Sequence, residues 1–341
     1  MYYTGIDLHK FTSYLTTVDS SGAIAKQSRQ GGMKNVAHNF VQYFSSIPGE
    51  HKTTVESTMT WYWLNDLLTS MKIPLVLAHA KYVKAIAYAK VKTDKVDSHT
   101  LAQLLRMDYI PVAHKISAEN RLLRDALRAR LKIVQRHTSI TNSMQLLLAK
   151  YNYDSPTQLS GIPLFQYEQL TEVEALLDEQ MLDLEKQLYP SLIPNDDIQR
   201  LLWIPGIGKM NAFTILLEID DINRFPDVKN FFSYCRLVPS ARNSGGKSKQ
   251  RSSKDGNKYL KVAFSDAAVH AVHYYPVIQK YQNSLLRKKN KQIVKTIIAK
   301  EIAEIVFHVL KNKSDFNNKF KGKELEHTKS LQWPRVVSPY A

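Results

Sequence analysis

Residues 2–18, YYTGIDLHKFTSYLTTV, decide how the chain begins to fold. Two β-rich runs, 2–7 and 11–18, are followed by a Ser20-Ser21-Gly22 break and a third short run at 23–27, a pattern that reads as a hairpin meander. Working outward, 34–46 has helical periodicity, 53–56 is a short strand, 61–71 a helix, and 74–78 (PLVLA) a strand of the buried type. Meandering strands followed by alternating helices and strands predict an α/β fold with a mixed sheet.

Within the first run, Ile6 and Leu8 fall on one face of a strand and Asp7 on the other. A carboxylate projecting from a first strand is the start of an RNase H-like metal site. Glu56 ends the strand at 53–56, and Asp94 and Asp97, three apart, project from one face of the helix expected at 94–106. Four carboxylates from three separate elements match two Mg²⁺ ions, which take hard oxygen ligands and can activate a nucleophile and stabilise a leaving oxygen in phosphodiester transfer. A single Asp or Glu is usually a solvated surface charge. It is the joint pattern that singles these four out. His9 and His99 lie beside them in sequence, where they either tune the carboxylates or, the expected reading, serve the structure.

Bulk properties narrow the function. At roughly 150 residues per domain, 341 residues predict two globular units. Apolar residues at 44% and charged residues at 23% place the chain among ordinary folded domains, against a collagen-like, disordered or membrane protein. The 47 Lys and Arg against 31 Asp and Glu leave a net charge of +16, which makes a polyanion the leading partner. The single Cys235 excludes an intramolecular disulfide scaffold and a multi-thiolate zinc finger and fits a reducing cytosol. Neither a signal peptide nor a membrane span is expected.

The rest of the chain reads as mainly helical. A periodic stretch at 119–150 and a second at 167–188, joined across a Pro- and Gly-containing break at 155–163, predict an antiparallel helix pair. The second helix carries seven acids between Glu168 and Glu185, whereas 81–136 holds 13 bases against 5 acids, so only the first suits a phosphate backbone. Pro190, Pro194 and Asn195-Asp196-Asp197 mark a boundary. After it, Gly206-Ile207-Gly208-Lys209 opens a helix, where glycines free backbone N–H groups to approach an anion. Residues 229–262 hold nine bases and one acid and are the most positive region, expected to be loop-like around Gly245, Gly246 and Gly256. Helices are expected at 259–273 and 293–310, and the Lys- and Asn-rich remainder as a loosely held tail.

Gly5-Ile6-Asp7-Leu8-His9-Lys10, Glu56-Ser57-Thr58, Val83-Lys84-Ala85-Ile86, Lys92-Thr93-Asp94-Lys95-Val96-Asp97-Ser98 and Leu101-Ala102 with Leu104-Leu105-Arg106 together resemble the amino-terminal DEDD domain of the IS110 transposases. Ile204-Pro205-Gly206-Ile207-Gly208, Arg224-Phe225, Leu237-Val238-Pro239, Ser244-Gly245 and Lys254-Asp255-Gly256-Asn257-Lys258-Tyr259-Leu260 resemble the carboxy-terminal transposase domain of the same family. The chain departs from the family pattern at Arg236, where Gly usually precedes Leu-Val-Pro, and at Gln250-Arg251-Ser252-Ser253.

The resemblance implies an RNase H-like (RuvC-like) DEDD catalytic domain at 1–115, a helical coiled-coil insertion at 116–192, a mainly α-helical basic transposase domain at 193–325 with a helix-hairpin-helix-like motif, and a tail at 326–341. It implies an Mg²⁺-dependent recombinase of an insertion sequence, with Asp7, Glu56, Asp94 and Asp97 as ligands of a two-ion site and Ser244 as the nucleophile forming a covalent link to DNA. Donor and target DNA, an element-encoded bridge RNA and a homo-oligomer (a dimer, or a tetramer in the synaptic complex) are the implied partners, in a prokaryotic cytoplasm and on the nucleoid when active.

A serine needs a base, a metal or an electropositive setting to become a nucleophile, and Arg242, Lys247, Lys249 and Arg251 supply the last. Without the family, Ser244-Gly245-Gly246 reads more readily as a flexible turn than as a nucleophile site. The phosphate contacts are expected from Lys10, Lys84, Lys92, Lys95 and Arg106 in the first domain, and from Arg121, Arg124 and Arg128 on the long helix. In the last domain they are expected from Gly206, Gly208 and Lys209, from the four bases around Ser244, and from Lys254 and Lys258. Three other readings stand beside this one: a site-specific DNA invertase of the same motif class, a RuvC-like hydrolytic nuclease using only the carboxylates, and a non-catalytic nucleic-acid-binding protein.

Overall fold

A computed structural model describes residues 1–86, 93–244, 247–251 and 255–325, with 240–244 and 247–251 defined by their backbone pairing. The chain divides into two compact units, Met1–Lys115 and Ile116–Ala341.

The first unit is built on the mixed sheet. Strands β1 (Tyr2–Leu8), β2 (Thr12–Val18) and β3 (Ile24–Gln27) form the antiparallel meander, and β4 (Met33–Lys34) returns to the start of β2. After helix α1 (Ala37–Ser45), β5 (His51–Glu56) lies parallel to β1; helix α2 (Trp61–Ser70) then leads to β6 (Leu75–Ala78), parallel to β5. The order β3-β2-β1-β5-β6 puts β1 at the centre. The helix expected from residue 34 starts later: Met33 and Lys34 pair with Ser13 and Thr12, after a turn in which Gly31 and Gly32 both take positive φ.

Alternation along β1 sorts its two faces. Thr4, Ile6 and Leu8 are buried; Thr4 Oγ1 meets Thr17 Oγ1 at 2.8 Å, and Thr17 Oγ1 meets the Tyr43 hydroxyl of α1 at 3.0 Å. The opposite face carries Gly5 and Asp7 and receives helix α4 (Asp94–Arg106), which follows the short α3 (Ala80–Ile86). A Cβ at Gly5 would lie 2.1 Å from Ser98 O and 2.4 Å from Ala102 N, so the helix backbone sits directly on the strand where only glycine fits. Thr16 Oγ1 and Ser98 Oγ, both buried and 2.8 Å apart, fasten the same helix to β2.

In the second unit α5 (Ala118–Lys150) and α6 (Gly161–Leu188) form the long pair. Arg130 meets Glu185 at 2.6 Å and His137 meets Asp178 at 3.3 Å, a descending pairing that makes the helices antiparallel. Helix α6 begins at Gly161, ahead of its sequence-predicted start, because Pro163 falls in the first turn, where the missing N–H costs no bond. Helices α7 (Asp196–Leu202), α8 (Lys209–Ile219), α9 (Val228–Tyr234), α10 (Lys258–Tyr274), α11 (Pro276–Leu286) and α12 (Lys291–Asn312) enclose one apolar core that includes Phe231, Phe264, Ile298 and Ile302. Cys235 is buried in it, and burial pushes its thiol pKa up. Between α9 and α10, β7 (Ser240–Ser244) and β8 (Lys247–Arg251) form an antiparallel hairpin where a loop was expected. Residues 313–325 are not loosely held: Phe320 is buried against Tyr281, and Lys321 pairs with Glu301. The tail expected at 326–341 lies outside the described residues.

Candidate metal and nucleic-acid site

Asp7 is the penultimate residue of β1, half-buried, on the face that receives α4. Thr93 caps α4 by accepting from Val96 N–H at 3.2 Å, which starts the helix at Asp94. With the helix laid flat on Gly5, its first turn comes down beside Asp7. His9 lies two residues beyond Asp7, and its backbone is held on both sides: its N–H donates to Thr12 O at 3.0 Å, and its carbonyl accepts from Asn35 Nδ2 at 2.9 Å. Asn35 is itself fixed by the Ser13 hydroxyl, which donates to Asn35 Oδ1 at 2.5 Å.

These constraints bring three side chains together. His9 Nε2 lies 3.4 Å from an oxygen of Asp7 and 3.4 Å from an oxygen of Asp94, and donor atoms of all three fit within 4.8 Å of one another. Two carboxylates and an imidazole, open to solvent on one side, are a donor set that suits a divalent cation, with room for water to complete its coordination. Among the described residues, Glu56 and Asp97 are not in this close group. They stand nearby: Glu56 follows Val55, whose register partner is Ile6, and Asp97 is one turn along α4 from Asp94. His9, expected to be structural, is thus part of the group. The sequence signal was its two-residue offset from Asp7, which places both on one side of a strand end.

The expected phosphate contacts divide. Lys10, Lys84, Lys95 and Lys258 are exposed. Arg106 instead braces the first unit, its Nε donating to Gln103 at 2.9 Å and its Nη1 reaching Ser20 O. Arg121 is buried, and Arg124 is half-buried. Arg128 donates from Nε and Nη2 to the two oxygens of Glu218, at 2.5 and 2.6 Å, and its guanidinium covers the Tyr259 ring. Burial works against that charge, but the hydrogen bond and charge of Glu218 outweigh it and raise the Arg128 pKa above its ordinary value. The basic surplus of α5 therefore serves packing at Arg128 and Arg130, and the acids of α6 answer it at Glu185.

Gly206, with φ +80°, packs against α10: a Cβ there would meet Ala267 O at 2.0 Å. Gly208 is open and caps α8, and Lys209 stacks over Tyr189 at the edge of a cavity of about 460 Å³ that Arg130 and His270 also line. In the hairpin, Ser244 pairs with Lys247, Arg242 with Lys249 and Ser240 with Arg251. The hairpin is anchored at its base. Arg236 Nε donates to Gly256 O at 2.9 Å, and Asn257 caps α10 while donating to the buried Glu218 at 2.7 Å. Arg236 takes φ +57°, the left-handed region that favours glycine, at the position where the family pattern has Gly. Lys92 and Lys254 lie outside the described residues.

Comparison with known proteins bears on the family. A family model described as Transposase, of the DEDD class, matches residues 4–153, and one described as Transposase IS116/IS110/IS902 family matches 198–283. The chain is 24% identical to a probable family 20 transposase of Pseudomonas aeruginosa over 73% of this chain and 80% of that one. It is 22% identical to the transposase for insertion sequence element IS1328 of Yersinia enterocolitica, over 89% and 95%. It is 24% identical to the pilin gene-inverting protein of Moraxella bovis, over 93% and 98%. Among the described residues no helix is long and apolar enough to cross a membrane.

Proposed function

We propose, because this chain belongs to the IS116/IS110/IS902 family of transposases and is a DNA recombinase, that it cuts and rejoins DNA through a divalent-metal site on β1 and α4 and a serine nucleophile on the β7–β8 hairpin. The convergence of Asp7, His9 and Asp94 carries this reading. Asp7 and Asp94 would hold the ion, Mg²⁺ in the cell, with His9 closing the group and Glu56 and Asp97 extending it to a second position. When bound, the metal supplies Lewis-acid polarisation of the phosphate and charge stabilisation in the transition state.

The chain's own residues do the rest. Ser244 gives up its hydroxyl proton and attacks the scissile phosphorus; its oxygen forms a phosphodiester with one DNA end, the bond to the leaving deoxyribose oxygen breaks, and that oxygen takes up a proton in its turn. A free DNA hydroxyl later reverses the exchange, releasing the serine. The bases paired through the hairpin, Arg242, Lys247, Lys249 and Arg251, favour charge building on the phosphate. The exposed Lys10, Lys84, Lys95 and Lys258 hold the duplex by its backbone. An element-encoded bridge RNA is the proposed guide, and a homo-oligomer, a dimer or a tetramer, the working assembly. Inversion of a bounded segment is the second reading, favoured by the near full-length likeness to the pilin gene-inverting protein.

The test is a denaturing gel of protein with Mg²⁺, DNA carrying the element's joined ends, and RNA transcribed from its flanks. A covalent protein–DNA adduct is expected with wild type and not with Ser244→Ala. Cut DNA without adduct in either protein would transfer the chemistry to metal-assisted hydrolysis.

A further inference from the structure

The metal ligands open onto a groove in which Lys95 is the one expected phosphate contact and whose far wall none of them reaches. A cavity of about 530 Å³ is lined by Asp94, Thr93 and Lys95 on one side and by Tyr14, Gln27 and Ser28 on the other. It adjoins a second, of about 640 Å³, at Gln27 and Ser28, and there Arg29, Lys34 and Lys26 line the wall with no carboxylate among the lining residues. The floor between them is fixed: Gln27 Nε2 donates to Thr16 Oγ1 at 2.9 Å, and Ser28 Oγ accepts from Leu15 N–H at 2.9 Å.

The loop that forms the far wall is held to the metal site by one side chain. Tyr14 is the register partner of Asp7, so the two share a face of the sheet, and the Tyr14 hydroxyl accepts from Gly31 N–H at 2.7 Å. Gly32, at φ +76°, lies close over Ser13 and the Tyr14 ring, which turns the loop tightly across the strand. Arg29 and Lys34 are exposed, and among the described residues neither has a carboxylate partner, whereas Lys26 is engaged by Tyr43 O and Ser46. Arg29 and Lys34, two cations with no carboxylate partner among the described residues, thus lie on a loop tied to β2, the strand beside the one that bears Asp7, with a polar trough between them and that ligand.

We infer that the loop at residues 28–34 is a DNA-strand subsite: the strand whose phosphate sits at Asp7, His9 and Asp94 continues over Tyr14 and Gln27, and Arg29 and Lys34 grip its next backbone phosphates. This rests on the metal reading above. It assigns the loop the task of setting the strand's direction away from the reacting phosphate.

The experiment uses the full chain and a fluorescein-labelled single-stranded DNA oligonucleotide, with affinity measured by anisotropy across a salt series. Each lost phosphate contact lowers the slope of log K against log salt by about 0.7 for a single strand, so Arg29→Ala with Lys34→Ala lowers it by about 1.4. Arg29→Lys with Lys34→Arg restores it. An unchanged slope in the double alanine variant overturns the inference, as does a loss seen only with an RNA oligonucleotide of the same sequence, which would give the groove to a guide strand. Asp7→Asn separates the two readings: it is expected to keep the wild-type slope and lose cleavage. Cleavage surviving in Asp7→Asn would sink the metal reading while leaving the slope comparison standing.

Discussion

Gly5→Ala is the smallest change that reaches the proposed metal site through the fold. The added methyl carbon would start 2.1 Å from Ser98 O, 2.4 Å from Ala102 N and 2.8 Å from Leu101 Cβ, two of the three being backbone atoms of α4. An ordinary contact begins near 3.4 Å, so helix and strand must separate by about 1.3 Å, since no side chain can simply swing aside. Overpacking of this kind costs about 1–3 kcal/mol. The displacement also weakens the Thr16–Ser98 hydrogen bond and lifts Asp94 away from Asp7 and His9. A misplacement near 1 Å at a reacting centre can lower the rate about 100-fold. Urea unfolding should therefore show a loss of about 2 kcal/mol, and DNA cleavage at saturating metal should fall by about two orders of magnitude while duplex binding stays within a few-fold of wild type. Stability within about 0.5 kcal/mol of wild type, together with cleavage within twofold, would refute the claim that α4 is seated on Gly5 and carries its ligand from there.

Other changes test separate parts. Arg128→Ala leaves the Glu218 carboxylate buried without its guanidinium and should cost about 3–5 kcal/mol in chemical denaturation, with Glu218→Gln milder because Asn257 and Arg128 keep a hydrogen-bonding partner. Burial pushes the Tyr43 pKa up to about 12, against a smaller opposing hydrogen bond from Thr17. The unfolded chain therefore loses this proton near pH 10 while the folded chain holds it. Tyr43 contributes stability fully below pH 10 that is lost as pH rises toward 12, by up to about 3 kcal/mol. Tyr43→Phe should flatten that part of the stability profile, and an unchanged decline would assign it elsewhere. Arg236→Gly removes both a left-handed non-glycine residue and one hydrogen bond and should change stability by less than about 1 kcal/mol, whereas Arg236→Val, β-branched at φ +57°, should lower the denaturation midpoint clearly more.

The fold of the first unit was legible because its signals are local: strand runs at 2–7 and 11–18 and a helix at 94–106 need only periodicity. The pattern of Asp7, Glu56, Asp94 and Asp97 pointed to carboxylates on three elements, but which of them close on one another depends on how α4 crosses β1. That crossing is set at Gly5, where the missing side chain leaves no mark in a hydrophobic pattern. His9 read as structural rather than as part of the group because its backbone clamps, Thr12 and Asn35, come from the β1–β2 turn and the stretch before α1 and leave no mark in the sequence around it. The bases of α5 looked alike in sequence. Tertiary partners, Glu218 for Arg128 and Glu185 for Arg130, separate those that hold the fold from those that face solvent. The β7–β8 hairpin was hidden because its strands, SARNS and KSKQR, are polar at every position but Ala241 and give no apolar alternation to read.

The most direct test of the account is Mn²⁺ binding to the full chain, followed by electron paramagnetic resonance, in wild type and in Asp7→Asn. If Asp7, His9 and Asp94 hold the ion, wild type binds Mn²⁺ at a site that Asp7→Asn weakens at least tenfold while the protein stays folded and still binds duplex DNA. Equal Mn²⁺ affinity in the two proteins would contradict the account, because the close group on β1 and α4 would then not be where the metal sits.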